Sequence, residues 1–196
     1  VVYGVSEGTP QNAKVQKRGE PDKLGDEVPR RFLQILGGDP LPPGTTGSGR
    51  LELANWLTRP DNPLTARVFV NRVWQWHFGR GLVPTSSDFG VRGDRPSHPE
   101  LLDWLTSQFV ASGWKVKSLH RRIMRTQAYQ LASDDDSANL QIDPENRWLW
   151  RYSRRALDAE SIRDALLLTS GRLGPKASGP YVPTPRGADG EVESDE

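Results

Sequence analysis

The chain has no cysteine. That absence removes disulfides, thiolate metal sites, covalent haem attachment and a cysteine nucleophile from this segment. It leaves the compartment open, because a cysteine-free domain tolerates oxidising and reducing surroundings alike. Long hydrophobic runs are missing as well: none approaches membrane-spanning length, and the opening VVYGVSEGTP has neither the charged nor the apolar region of a signal peptide. A chain that starts at Val1 rather than Met is expected to be a segment of a longer one. Excess charge of either sign is lacking too. The 26 Lys and Arg against 25 Asp and Glu leave a formal net charge of +1, too near neutral to imply nucleic acid or a membrane surface. There is no glycine-rich phosphate loop, no serine-centred nucleophile elbow, no zinc-protease helix and no internal repeat.

What is present is uneven. Hydrophobic residues make up 35% of the chain, below the globular average, while glycine and proline are abundant at 19 and 16. The breakers concentrate before Gly49 and after Gly171, so the core is expected between them. The most informative stretch is NPLTARVFVNRVWQWHFGRGLV, residues 62–83. Asn62 is suited to cap a helix, Pro63 to occupy its first position, and Gly79 and Gly81 to supply left-handed exits. Ala66, Phe69, Val70, Val73 and His77 repeat at helical spacing as a core-facing stripe. Arg67, Asn71 and Gln75 recur every four residues beside it and form a polar band.

The remaining pattern predicts a mainly α fold, an irregular bundle of five to six helices with a short, weakly β N-terminal arm and a disordered C-terminal tail. Residues 1–48 read as arm and Gly/Pro-rich linker, 49–173 as the helical domain, and 174–196 as a flexible acidic tail. In the arm, Val1–Ser6 and Lys14–Arg18 are expected to pair as a hairpin, whereas Pro21 and Pro29 argue against a regular element between them. Leu51, Leu53, Ala54 and Leu57 mark a helix ending before Pro60. Ser97 and Glu100 spell a capping box ahead of Leu101, Leu102, Leu105 and Phe109. Ser118 is the expected cap of a helix carrying Leu119, Ile123, Met124, Ala128 and Leu131. Asp134–Asp136 is a solvated break, Asp143-Pro144 is expected to open a short helical turn, and Asp158 to cap a helix with Ile162, Ala165, Leu166 and Thr169 inward.

Several constellations carry chemistry in principle. Lys115, Lys117, His120, Arg121, Arg122 and Arg125 gather without an acid among them, in a helix-turn-helix outline that a DNA-binding module would share. A solvated basic face is the stronger reading, and nucleic acid is not the expected partner. His77, His98 and His120 lie on three segments without the i, i+3 or i+4 partner of a helical metal motif, so no metal site is expected. Arg67 and Arg72 are expected to meet acids, with Asp103, Glu160 and Asp164 as candidates. Glu160 and Asp164 share one face with Arg163 between them, and Arg154 and Arg155 stand just before. The helix of residues 62–83 and the last helix are therefore expected to pack together, with buried pairing worth about 3–5 kcal/mol on truncation. A carbohydrate-active or hydrolytic cleft would draw on Arg67, Asn71, His77, Asp88 and His98. Seven tryptophans suit a thick core, and an exposed pair at Trp148 and Trp150 would point instead to sugar binding.

The runs NPLTARVFVNRVWQWHFGRGLV, SDFG, SHPELLDWLTSQFVASGWKVKSLHRRIMRTQAYQ and RRALDAESIRDALLLTSGRL resemble successive blocks of number 1553 in the domain-of-unknown-function series. The resemblance spans roughly residues 14–173, with RGEPDKLGDEVPRRF similar to the family's N-terminal arm. It implies a planctomycete-type secreted protein in which a cytochrome-c-like module precedes this domain, so haem belongs upstream and no cofactor to this segment. It further implies an extracytoplasmic setting, other domains of the same parent chain as partners, polysaccharide as a possible ligand, and a domain continuing beyond Gly171. No reaction comes with it. A non-catalytic scaffold or binding module is therefore the leading expectation.

Overall fold

The computed structural model describes Gly4 and residues 6–174, and the chain divides into two compact units, residues 1–154 and 155–196. The first unit opens with an antiparallel hairpin of β1 (Ala13–Gln16) and β2 (Leu24–Val28), Ala13 opposite Val28. This corrects the expected pairing: Gly4 and Ser6 are outside any strand, and residues 1–3 and 5 lie outside the described residues. Strand β2 fits between Pro21 and Pro29 because each proline disrupts only its own neighbourhood. The reversal uses Arg18 and Gly19 at φ 56° and 78°, with Lys17 N–H donating to the Lys23 carbonyl at 2.9 Å. Glu7 fastens the arm to the start of the helical region. Its carboxylate accepts from the Ser48 backbone N–H at 2.7 Å and the Ser48 hydroxyl at 2.9 Å, and these bonds hold its pKa below the ordinary value.

Helix α1 (Arg50–Leu57) stops before Pro60 as its pattern predicts, but its leucines do not face inward. Leu51, Leu53 and Leu57 are exposed, and Trp56 is buried, stacked on Phe32 at 5.1 Å. In a two-turn helix resting on a thin arm, one indole covers the available contact better than a leucine stripe.

Helix α2 (Thr65–Phe78) is the centre of the unit. The residue flanking the helix is Leu64, not the expected Asn62, and Pro63 precedes the helix instead of starting it. The Asn62 side chain instead closes the turn leading into the helix, accepting from the Leu64 and Thr65 N–H groups at 3.0 and 3.2 Å. Ala66, Val70 and Val73 are buried, joined by Trp74 and Phe78, with Phe69 partly covered. Helix α3 (Pro99–Ala111) adds Leu102, Leu105 and Phe109, and α4 (Val116–Met124) adds Leu119 and Ile123. A face-to-face stack of Phe69 on Phe109 at 5.1 Å ties α2 to α3, and Trp74 stacks on Phe78 at 4.2 Å within α2.

Two further caps differ from expectation. Pro99 takes the first position of α3, which leaves His98 as the flanking residue and forms no capping box. Glu100 stays in the first turn, where its charge suits the helix dipole. Ser118 lies inside α4, whose flanking residue is Lys115. Two short helices follow, α5 (Gln127–Gln130) capped by Thr126 and α6 (Ser137–Ile142) capped by Asp136 from the acidic break. They raise the count to seven helices among the described residues. Met124 and Leu131 are exposed rather than core, and Asp143-Pro144 opens turns instead of a helix.

In the second unit, α7 (Ala159–Thr169) starts as its pattern predicts, the Asp158 carboxylate accepting from Ser161 N–H at 2.7 Å. Ile162 and Leu166, expected inward, are 47% and 65% exposed. The acidic tail from residue 175 lies outside the described residues. The fold is mainly α with a two-stranded sheet.

Candidate functional site: a cleft at the end of α2

The polar band of α2 organises the loop that follows it. Asn71 is fully buried, its side-chain oxygen accepting from Val83 N–H at 2.8 Å and its amide donating to the Val83 carbonyl at 3.0 Å. The same amide donates to the Ser86 hydroxyl at 3.3 Å, and that hydroxyl donates to the Gln75 side chain at 2.6 Å. Leu82 and Val83 are buried hydrophobics outside any regular element, so their backbone groups need such partners. The Leu82 carbonyl accepts from Ser97 N–H at 2.8 Å, joining the two ends of the loop. Gly79 is left-handed at φ 81°, as expected, but Gly81 is glycine for a different reason. A Cβ there would fall 2.5 Å from the Val83 carbonyl oxygen and 2.7 Å from the Asn71 amide nitrogen.

Opposite this loop stands a turn built from residues 143–153. Buried Asp143 accepts from Arg147 and Trp148 N–H groups at 2.9 and 2.8 Å, and its backbone carbonyl accepts from the Trp150 indole at 2.9 Å. Buried Asn146 donates to the Arg151 carbonyl at 2.8 Å and the Ser153 hydroxyl at 3.0 Å, and it adopts φ 53°, as an asparagine tolerates. Between loop and turn lies a cleft of about 170 Å³. Trp74, Phe78, Leu82 and Leu149 line its apolar part, Arg80, Asp94, Arg95, Glu145 and Arg147 its charged part, with Ser97 and Ser153 hydroxyls among them. Arg80 and Glu145 pair across it at 2.8 Å. At about 30 Å³ per water, the volume suits a handful of waters or one small polar ring.

The residues singled out from sequence fall into separate places. Arg67 pairs with Asp103 of α3, both side chains partly exposed at 35% and 58%, so the pair is not the buried one expected and is worth less than about 1 kcal/mol. Arg72 is exposed and makes no ion pair among the described residues. Arg155, Glu160, Arg163 and Asp164 belong to the second unit and are exposed there. Asp88 closes its own turn by accepting from Gly90 N–H at 2.9 Å. His98 lies 2.9 Å from the Ser97 hydroxyl and edge-on to Trp148. Of Arg67, Asn71, His77, Asp88 and His98, none lines the cleft.

His77 and His120 are brought together, Nε2 of one 2.7 Å from Nδ1 of the other, with Tyr129 edge-on to His77 at 5.4 Å. The Tyr152 hydroxyl donates to the His77 carbonyl at 2.8 Å. No spacing in the sequence announces a contact between residues 43 apart. No group of three or more metal-ligating side chains is present among the described residues. Trp148 is 58% exposed and Trp150 half-buried, so only one of that pair is open to a ligand. The carboxyls held below their ordinary pKa are structural: Glu7 through Ser48, Asp61 through its hydrogen bond to Arg59, and Asp158 through Ser161.

The model of the family described as PSD1, Protein of unknown function (DUF1553), matches residues 49–196, which leaves the hairpin block outside the match. No curated protein and no solved structure matches the chain.

Proposed function

This chain belongs to the DUF1553 family, and within it we propose a non-catalytic helical scaffold and binding module of a secreted, multidomain bacterial protein. Its neighbours are other domains of the same parent chain, among them a cytochrome-c-like module that carries any haem, and its ligand is a polysaccharide segment. The observation that carries this reading is the use of the α2 polar band. Arg67, which with Asn71 the sequence offers for a cleft, is tied to Asp103 of α3, while Asn71 and Gln75 are tied to Val83 and Ser86 of the loop. They shape a loop, and the loop shapes the cleft. The cleft mixes an apolar floor with guanidinium, carboxylate and hydroxyl groups, the combination that sugar hydroxyls and ring faces require.

Arg95 lines the cleft and forms no ion pair among the described residues, so it is the donor most available to a ligand. Affinity electrophoresis in gels holding soluble polysaccharides tests the reading. The chain is expected to be retarded by at least one of them and Arg95→Ala to be retarded less; equal mobility in every gel contradicts it. One observation favours a second reading, a carbohydrate-active hydrolase: Asp94 and Glu145 line the same cleft. Such enzymes act with two carboxyl groups flanking the scissile bond, and Glu145→Gln separates the two readings.

A further inference from the structure

Helix α4 carries Ser118, Arg121 and Arg122 at i, i+3 and i+4, and Arg125, the residue flanking its C-terminal end, continues the spacing at i+7, so all four fall on one side. They line a shallow, open cavity on the surface. Arg121, Arg122 and Arg125 are exposed, and among the described residues no aspartate or glutamate pairs with any of them. This solvated basic face therefore keeps its positive field. Like charges crowded on one helix face repel, and an oxyanion between them relieves that repulsion while accepting their forked N–H groups. Beside the cavity stands Trp104 of α3, 48% exposed, with the Arg122 guanidinium 5.9 Å from its ring centre.

We propose that this face is a subsite for an acidic polysaccharide, Arg121, Arg122, Arg125 and the Ser118 hydroxyl holding a sulfate or carboxylate substituent while a sugar ring lies against Trp104. The proposal rests on the polysaccharide-binding reading above and adds the charge class of the ligand. Arginine is suited to both substituents, since its planar fork meets two oxygens at once. An exposed indole offers a flat face to a pyranose ring, whereas a duplex keeps its bases stacked away from such a platform. The chain's net charge of +1 also argues against the broad basic footprint of a duplex binder.

The test measures affinity of the full chain for dextran sulfate, polygalacturonate, neutral dextran and a duplex oligonucleotide, at low and at high salt. The charged polysaccharides are expected to bind more tightly than neutral dextran, with salt weakening the difference. Removing one charge-assisted contact with Arg121→Ala or Arg125→Ala is expected to cost roughly tenfold for the charged polymers only. Arg121→Lys, which keeps charge but loses the fork, is expected to recover part of that loss, and Trp104→Ala to weaken every polysaccharide. Preference for sulfate over uronate, or the reverse, identifies the substituent. Equal binding of charged and neutral polysaccharides overturns this inference and leaves the cleft reading standing; no binding of any polysaccharide overturns both. Tighter binding of the oligonucleotide than of either acidic polysaccharide, lost in Arg121→Ala, also overturns it, in favour of a nucleic-acid face.

Discussion

Asn71→Ala isolates the link between helix α2 and the loop it holds. The side chain is completely buried and satisfies both backbone groups of Val83, itself 3% exposed. Truncation leaves one N–H and one carbonyl without partners in a dry environment, and each such group costs about 1–3 kcal/mol. Taking relaxation into account, a loss of about 3 kcal/mol is expected. For a chain of this length that corresponds to a melting temperature lower by roughly 6–12 °C, or a urea midpoint lower by about 1.5 M at a typical slope of about 2 kcal/mol/M. All seven tryptophans lie between residues 56 and 150, within the first unit, so their fluorescence follows its unfolding. Asn71→Leu, close in volume but unable to bond, is expected to be no better than alanine. A change below about 0.5 kcal/mol, the range of ordinary surface substitutions, would refute the claim that these bonds hold the loop.

Three further expectations follow from the same geometry. Gly81→Ala places a methyl group against the Val83 carbonyl and the Asn71 amide, and the shift this forces is expected to cost about 1–3 kcal/mol in the same urea assay. Arg67→Ala breaks only a partly exposed pair with Asp103 and is expected to cost less than about 1 kcal/mol; a loss of 3 kcal/mol would show the pair to be shielded after all. Asp158 has its pKa lowered in the folded chain by the Ser161 bonds, so its capping contribution is present above the unfolded value near 3.9 and lost as pH falls through the folded value. Protection of the Ser161 amide, measured by its hydrogen-exchange rate relative to the intrinsic rate at each pH, is expected to fall across that acidic window in the native sequence but not in Asp158→Asn.

How much of this was legible in the sequence depended on whether the cause was local. The stripe Ala66, Val70 and Val73, the Asp158 cap and the Gly79 exit all follow from periodicity and chain-neighbour hydrogen bonds, and the structure contains them. Ser97 and Ser118 were misplaced as caps because several nearby residues compete for a helix start, and the proline at 99 decided one of them. The leucines of α1 illustrate a different limit: periodicity finds the helix, but which face is covered depends on what packs there, and Phe32 selects Trp56. The site was hidden for the same reason. Asn71 and Val83 are 12 residues apart and His77 and His120 43 apart, and neither pair has a local signature. The turn around Asp143 and Asn146 does leave a trace, since both are residues whose side chains bond nearby backbone, yet Asp143-Pro144 fits the start of a helical turn equally well.

The central claim is that the cleft between the α2 loop and the 143–153 turn binds without reacting. The most direct measurement follows release of new reducing ends from whichever polysaccharide retards the chain, with the native sequence and Glu145→Gln side by side. The account predicts retardation by the native chain with no reducing ends above the buffer control from either protein. Sustained release by the native chain that disappears in Glu145→Gln, while that variant unfolds at the same urea concentration, would contradict it and make the cleft an active site.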